Sequence, residues 1–369
     1  VGSEMCIRDS NEGSLGALSQ NEVTISGNAK VSSVYGAYSE SDSKVTGNKI
    51  IINSGTTGVV EGSGVNKISG GYSKTGDVIE NIVEITGGTI NNFEIFGGSN
   101  GVELYEEGVN YDSPSNVNEN QVIITGGTIN TNGGYIKGGS AETGNANANV
   151  VKISNVESIN VGEIVGGITG ENGTADGNSV TIGSEDKKLS FDATNLVAGG
   201  WSENGSASEN EVSITNVDFK DTTSDTFDIY GGLTDAGAVT ENNVSLTNVE
   251  IENMNSTFIA AGANGIDGGD GSVSVGEVSK NTLTINGTLE GANLHLYGGY
   301  VDNANGNAIN NKVIIGTANG DKTTITDRIK NANEEDINAV YGGYSEGSGN
   351  ASDLSLIHIS EPTRQEAIS

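Results

Sequence analysis

Aliphatic residues stand two and four positions after an asparagine, and this spacing recurs ten times along the chain. The anchors are Asn21, Asn48, Asn81, Asn120, Asn149, Asn178, Asn210, Asn242, Asn281 and Asn311, spaced 27 to 39 residues apart. The run Asn81-Ile82-Val83-Glu84-Ile85-Thr86 shows the local logic. Val83 and Ile85 fall on one face, Ile82 and Glu84 on the other, and a period of two is the pleat of a β-strand. Val, Ile, Thr and Tyr fill these runs while Gly, Asn, Asp and Ser bound them, and no helical spacing competes.

A second strand is predicted before each of ten small-residue doublets. In Phe227-Asp228-Ile229-Tyr230 and in Leu294-His295-Leu296-Tyr297 the apolar residues again alternate. The doublets include Gly36-Ala37, Gly70-Gly71, Gly231-Gly232, Ala261-Gly262 and Gly342-Gly343. Glycine pairs suit a tight corner needing backbone angles closed to other residues, and corners are predicted there.

One repeat of roughly 32 residues cannot fold alone. It offers about five aliphatic side chains worth roughly 1.5–3 kcal/mol each when buried. Ordering its chain costs about 1.5 kcal/mol per residue. Neighbouring copies must close the deficit, which predicts an all-β parallel β-solenoid (β-helix) of about ten coils. Valine lies over valine and asparagine over asparagine, so inward asparagine amides bond from one coil to the next. A propeller would need fewer and longer blades, and a leucine-rich horseshoe would need leucine where this chain has Val and Ile.

The 369 residues carry a formal net charge of -32, which disfavours nucleic acid and anionic membrane surfaces as partners. No apolar run is long enough for a transmembrane helix. The two ends read as foreign. Val1–Asp9 and Leu354–Arg364 are what one DNA element encodes when translated from opposite strands, as a sequencing adapter would be. Residues 1–10 and 354–369 are therefore set aside as adapter artefact, leaving a solenoid fragment over 11–353. That fragment has no Cys, so no disulfide is expected in it, and its only His is His295.

Candidate chemistry is sparse, and neither a catalytic, cofactor-binding nor metal constellation is expected. Gly265–Val273 resembles a calcium nonapeptide once and imperfectly, with Val273 at the aspartate position, and reads as an acidic loop. His295 alternates with Leu294 and Leu296 and should point outward without a second ligand. The acidic runs Glu106-Glu107, Glu185-Asp186 and Glu334-Glu335-Asp336 lie in variable inserts, with no basic cluster beside them to suggest a lyase groove. The sequon Asn172-Gly173-Thr174 reflects an Asn- and Thr-rich composition.

Aromatic residues flank the doublets in two columns. Tyr35, Phe96, Tyr230, Tyr297 and Tyr341 precede them; Tyr38, Tyr72, Trp201, Tyr300 and Tyr344 follow them. The second set is the candidate contact surface for a glycan or a partner protein. Self-stacking that staples adjacent repeats is the competing reading.

Units such as Tyr297-Gly298-Gly299-Tyr300, Asn311-Lys312-Val313-Ile314-Ile315 and Tyr341-Gly342-Gly343-Tyr344-Ser345 resemble passenger repeats of Gram-negative autotransporter adhesins. The resemblance covers most of 11–353 and implies a non-catalytic adhesive stalk at the cell surface. Its partner would be a host or bacterial surface glycan or protein, and its anchor a C-terminal region beyond this fragment. Two alternatives stand beside it: a polysaccharide-acting β-helix enzyme and a calcium-stapled repeat toxin segment.

Overall fold

The computed structural model describes residues 16–57, 66–91, 93–101, 114–170, 172–220, 226–265, 276–302, 306–316, 323–327, 339–345, 349–353 and 355–358. All regular structure among them is β-strand, and every strand pairing is parallel. Equivalent positions of successive repeats face each other. Val83 pairs with Val122, Val122 with Val151, Val151 with Val180 and Val180 with Val212. Ile85, Ile124, Ile153, Ile182 and Ile214 form the neighbouring line in the same register. Both lines are buried, together with Phe93, Phe191, Phe219 and Phe227, in one continuous apolar cluster.

The strand count per repeat exceeds the two expected from the alternation. A short strand such as Val45–Thr46, Val78–Ile79 or Val117–Asn118 leads into the anchor strand. After the anchor strand comes a further one, such as Thr89–Asn91 or Thr128–Asn130, which carries a buried isoleucine between polar neighbours. Three or fewer residues with a single apolar position show too little alternation to be read as strands. In three later repeats these two strands fuse into Glu211–Lys220, Asn243–Glu252 and Thr282–Gly291.

Each anchor asparagine joins a directed hydrogen-bond chain. Its backbone N–H and its side-chain Nδ2 both donate to Oδ1 of the next anchor. All nine steps from Asn21 to Asn311 are made, at 2.8–3.1 Å. A second Nδ2 proton goes back to a short-strand carbonyl, as Asn48 to Leu18, Asn120 to Val78 and Asn281 to Val239. Asn48 through Asn311 are all buried.

The doublets do not form the corners predicted for them. None of their glycines has positive φ, and from Gly70 onward they lie inside strands such as Phe93–Asn100. Glycine is needed there for close approach. A Cβ on Gly98 would sit 2.6 Å from Cγ of Asn120, and one on Gly262 would sit 2.6 Å from Cγ of Asn281. A Cβ on the first glycine of most doublets would strike the carbonyl of the doublet in the next repeat. The corner falls on the residue before each anchor. Gln20, Gly47, Glu80, Glu119, Ala148, Gly177, Glu209, Glu241, Lys280 and Asn310 all have φ between +54° and +67°. All ten are exposed, so varied side chains occupy a backbone conformation that glycine would take more readily.

Replacing Asn178 by Ala orphans the buried N–H of Asn149 and removes the acceptor of its amide. The expected loss is about 3 kcal/mol, read as a lower urea midpoint. Glu209→Gly, at a φ of +57°, should leave the midpoint unchanged or raise it. Equal losses from the two substitutions would dismiss the assigned division between ladder and corner.

Candidate functional site

The side of the doublet strands that faces away from the core is the most chemically varied surface. In a regular strand, residues three apart point to opposite faces. Here the strand pairing passes over the first glycine of each doublet, as Phe96 to Lys137 is followed directly by Gly98 to Gly139. The extra residue returns the alternation to phase, as in a β-bulge. Residues before and after the doublet therefore share the outer face. Tyr35 and Tyr38 have ring centroids 5.0 Å apart, and Tyr297 and Tyr300 4.9 Å.

The structure groups the five predicted contact residues into two separate places, Tyr38 with Tyr72 and, on one shared apolar cluster, Trp201 with Tyr300 and Tyr344. Tyr38 stacks on Tyr72 at 4.8 Å, and Tyr72 is buried with its hydroxyl donating to the Gly101 carbonyl at 2.7 Å. Trp201 packs on an apolar outer cluster around Val165, Ala198 and Leu233. Tyr300 and Tyr344 stack at 5.4 Å with planes 5° apart. The column between these places is held by Ser99, Ser140 and Ile168, so no continuous aromatic strip forms. Tyr297 lies on Tyr341 at 5.5 Å, and Tyr341 is among the few large apolar side chains left exposed among the described residues. Four tyrosines, Tyr297, Tyr300, Tyr341 and Tyr344, thus make one ring cluster with Phe258 at its edge.

Register also assembles charged groups that are far apart in sequence, including basic residues for which the sequence shows no clustering. One outer column runs Lys67, Glu94, Tyr135, Glu163, Leu196, Asp228, Phe258 and His295. Lys67 Nζ lies 4.0 Å from Glu94 and 5.9 Å from the Phe96 ring centroid. Lys137 Nζ lies 4.3 Å over the Tyr135 ring. Burial pushes the Lys137 ammonium down, against the opposing pull of Glu163 and Glu94. Burial raises the Glu163 carboxyl despite Lys137 nearby. The Glu163 charge, burial and Glu94 together push the Tyr135 hydroxyl up. Spacing in sequence conceals this group, because its members come from four different doublet strands.

Asp228 stands between Leu196 and Phe258 in the same column. Burial raises its carboxyl from 3.8 to about 6, with a hydrogen bond to Tyr230 acting the other way. His295 is half-buried between the buried Leu294 and Leu296, on the outward side. Among the described residues no group of three or more His, Cys, Asp or Glu is arranged to hold a metal. The calcium-like segment beyond Gly265, Glu106-Glu107 and Glu334-Glu335-Asp336 lie outside the described residues, as do the predicted foreign ends apart from the backbone of Ser355–His358. That last segment pairs in register with Lys312–Ile315. No helix among the described residues is long and apolar enough to cross a membrane. No family model, curated protein or solved structure matches the chain.

The Asp228 carboxyl makes stability depend on pH in a defined direction. Its proton is held more tightly in the folded chain than in the unfolded one. The contribution of this group is therefore fully present below pH 3.8 and is lost as pH rises through about 6, by an amount on the order of 2–3 kcal/mol. Asp228→Asn should flatten the thermal midpoint over that window and raise it at pH 7. A variant that melts in parallel with the wild type at every pH would refute the assignment.

Proposed function

We propose that this chain is a parallel β-solenoid of about ten coils and serves as a surface-displayed, non-catalytic adhesive stalk. In this reading it belongs with the passenger repeats of Gram-negative autotransporter adhesins, and residues 1–10 and 354–369 are adapter-derived. The observation that carries it is the asparagine chain, whose nine steps join ten repeats in one direction. At about 4.8 Å per coil, ten coils extend roughly 50 Å. Such a rod projects its outer face away from its anchor. Repetition along it turns weak contacts into avidity.

The contact surface in this proposal is the outer face of the doublet strands. The half-buried Tyr300 and Tyr344 and the exposed Tyr341, stacked with the buried Tyr297, offer the ring faces and edges they leave uncovered to the apolar side of a sugar ring or of a partner protein. The acidic charge of -32 keeps an exposed rod soluble and turns away polyanions.

A glycan array probed with the purified chain should give binding without release of sugar products. The double variant Tyr300→Ala, Tyr344→Ala should lose tenfold or more in affinity for the ligands found. Antibody against the chain should label intact cells that carry the full gene. Turnover of a bound polysaccharide would replace the proposal with the enzyme reading. The calcium-stapled reading makes a separate demand: chelator should lower the thermal midpoint by several degrees, whereas the stalk proposal expects no change.

A further inference from the structure

The charged group around Lys137 occupies a gap in the outer face. After the doublets, Tyr72 stands on one side of the gap and Ile168 and Trp201 on the other. Between them the column holds only Ser99 and Ser140, which pair with each other. The column before the doublets there holds Phe96 and Lys137, and the next column out holds Tyr135 and Glu163. Small hydroxyls thus form the floor where bulky rings form the walls.

Lys137 and Glu163 differ from the charges of this chain that meet a partner directly. Several lysines meet acids directly, as Lys49 with Glu84 at 2.7 Å, Lys188 with Asp218 at 2.7 Å and Lys280 with Glu241 at 2.8 Å. Lys67 has Glu94 within 4.0 Å. The side chains of Lys137 and Glu163 have neither a hydrogen bond nor an ion pair with any described residue, and the ammonium rests on the Tyr135 ring. Each nonetheless feels the other's charge, and each is partly withdrawn from water. A strong donor and a strong acceptor held close together and unspent mark a place for polar ligand atoms.

We infer that Ser99, Tyr135, Lys137, Ser140 and Glu163 form a subsite for one neutral sugar ring of a glycan chain. The Lys137 ammonium donates to a ring hydroxyl, and the Glu163 carboxylate accepts from an adjacent one. Ser99 and Ser140 supply hydroxyls that both donate and accept. Charge decides for a neutral ring over an acidic one. Lys67 is balanced by Glu94 and Lys137 by Glu163, so a sugar carboxylate would meet Glu163 as well as Lys137, on a chain of net charge -32. The subsite rests on the proposal that the outer face binds glycans, and it adds the sugar class and the residues that select it.

The test is calorimetric titration of the full chain with neutral and uronate-containing oligosaccharides, beside Lys137→Met and Glu163→Met. Both variants keep length and shape while removing a partly desolvated charge, so the thermal midpoint should hold or rise. Each should weaken binding of the neutral oligosaccharide tenfold or more, with uronate oligosaccharides bound weakly by every form. Unchanged affinity in both variants, with loss in Tyr300→Ala, Tyr344→Ala, would overturn the subsite and leave the adhesive reading standing. Preference for the uronate, abolished by Lys137→Met, would overturn the neutral-sugar assignment. A wild type that holds no oligosaccharide while still labelling the cell surface would overturn the subsite and leave display intact.

Discussion

The asparagine chain is the constraint from which the other regularities follow. Each Oδ1 accepts from the backbone N–H and from the side-chain amide of the preceding anchor. Each Nδ2 carries one proton forward and, in most repeats, one back to a carbonyl. An apolar residue at an anchor would strand buried backbone groups as well as side-chain ones, which is the costly way to lose a hydrogen bond. Aspartate lacks the amide protons and would place like charges one strand spacing apart. Glutamine is a methylene too long for the same reach. Amides aligned this way also polarise one another, so the chain gains from its own length. The same logic accounts for the doublets. An amide lying against the doublet strand leaves no volume for a Cβ at Gly139 or Gly200, where Asn149 and Asn210 occupy the space.

Residues that carry their meaning in local spacing were legible before any coordinates. The lines through Val83 and Ile85, the inward asparagines and the sharing of a face by Phe227 and Ile229 follow from alternation alone. The doublets were legible in position and misread in cause. Glycine serves both positive φ and close approach, and only the neighbour across the sheet distinguishes them. The true corner was hidden because Glu80, Glu119 and Lys280 are not residues that announce positive φ. The Lys137 and Glu163 group was hidden for a third reason. Its members meet only through the register between repeats, and unequal inserts scramble their separations in sequence. Local chemistry sets the strands, and register sets the site.

The division between inner and outer faces explains where variation is tolerated. Inward positions of the anchor strands stay within Val, Ile and Leu from repeat to repeat, because each must fit both of its neighbours. Outward positions range from Lys67 through Tyr135 and Leu196 to His295 within one column. Nothing in the backbone bonding depends on them. The polar load is carried outside as well: Lys188 bridges Asp218 and Glu250 across two repeats, and Lys220 faces Glu252. Such surface pairs add little to stability.

Under the proposed adhesive function, this separation would govern how binding specificity is built. On an ordinary domain a new surface residue is constrained by the loop that presents it. Here each doublet strand presents its outer residues at fixed spacing, and the glycine pair brings residues on either side of it onto one face. In that proposal a ligand longer than one sugar ring would meet side chains from consecutive repeats at intervals of about 4.8 Å, whatever those side chains are. Exchanging Ser for Tyr in the column after the doublet, as between Ser140 and Tyr300, changes the surface without touching the asparagine chain beneath. The rigid interior is what makes the exterior free to differ from one repeat to the next.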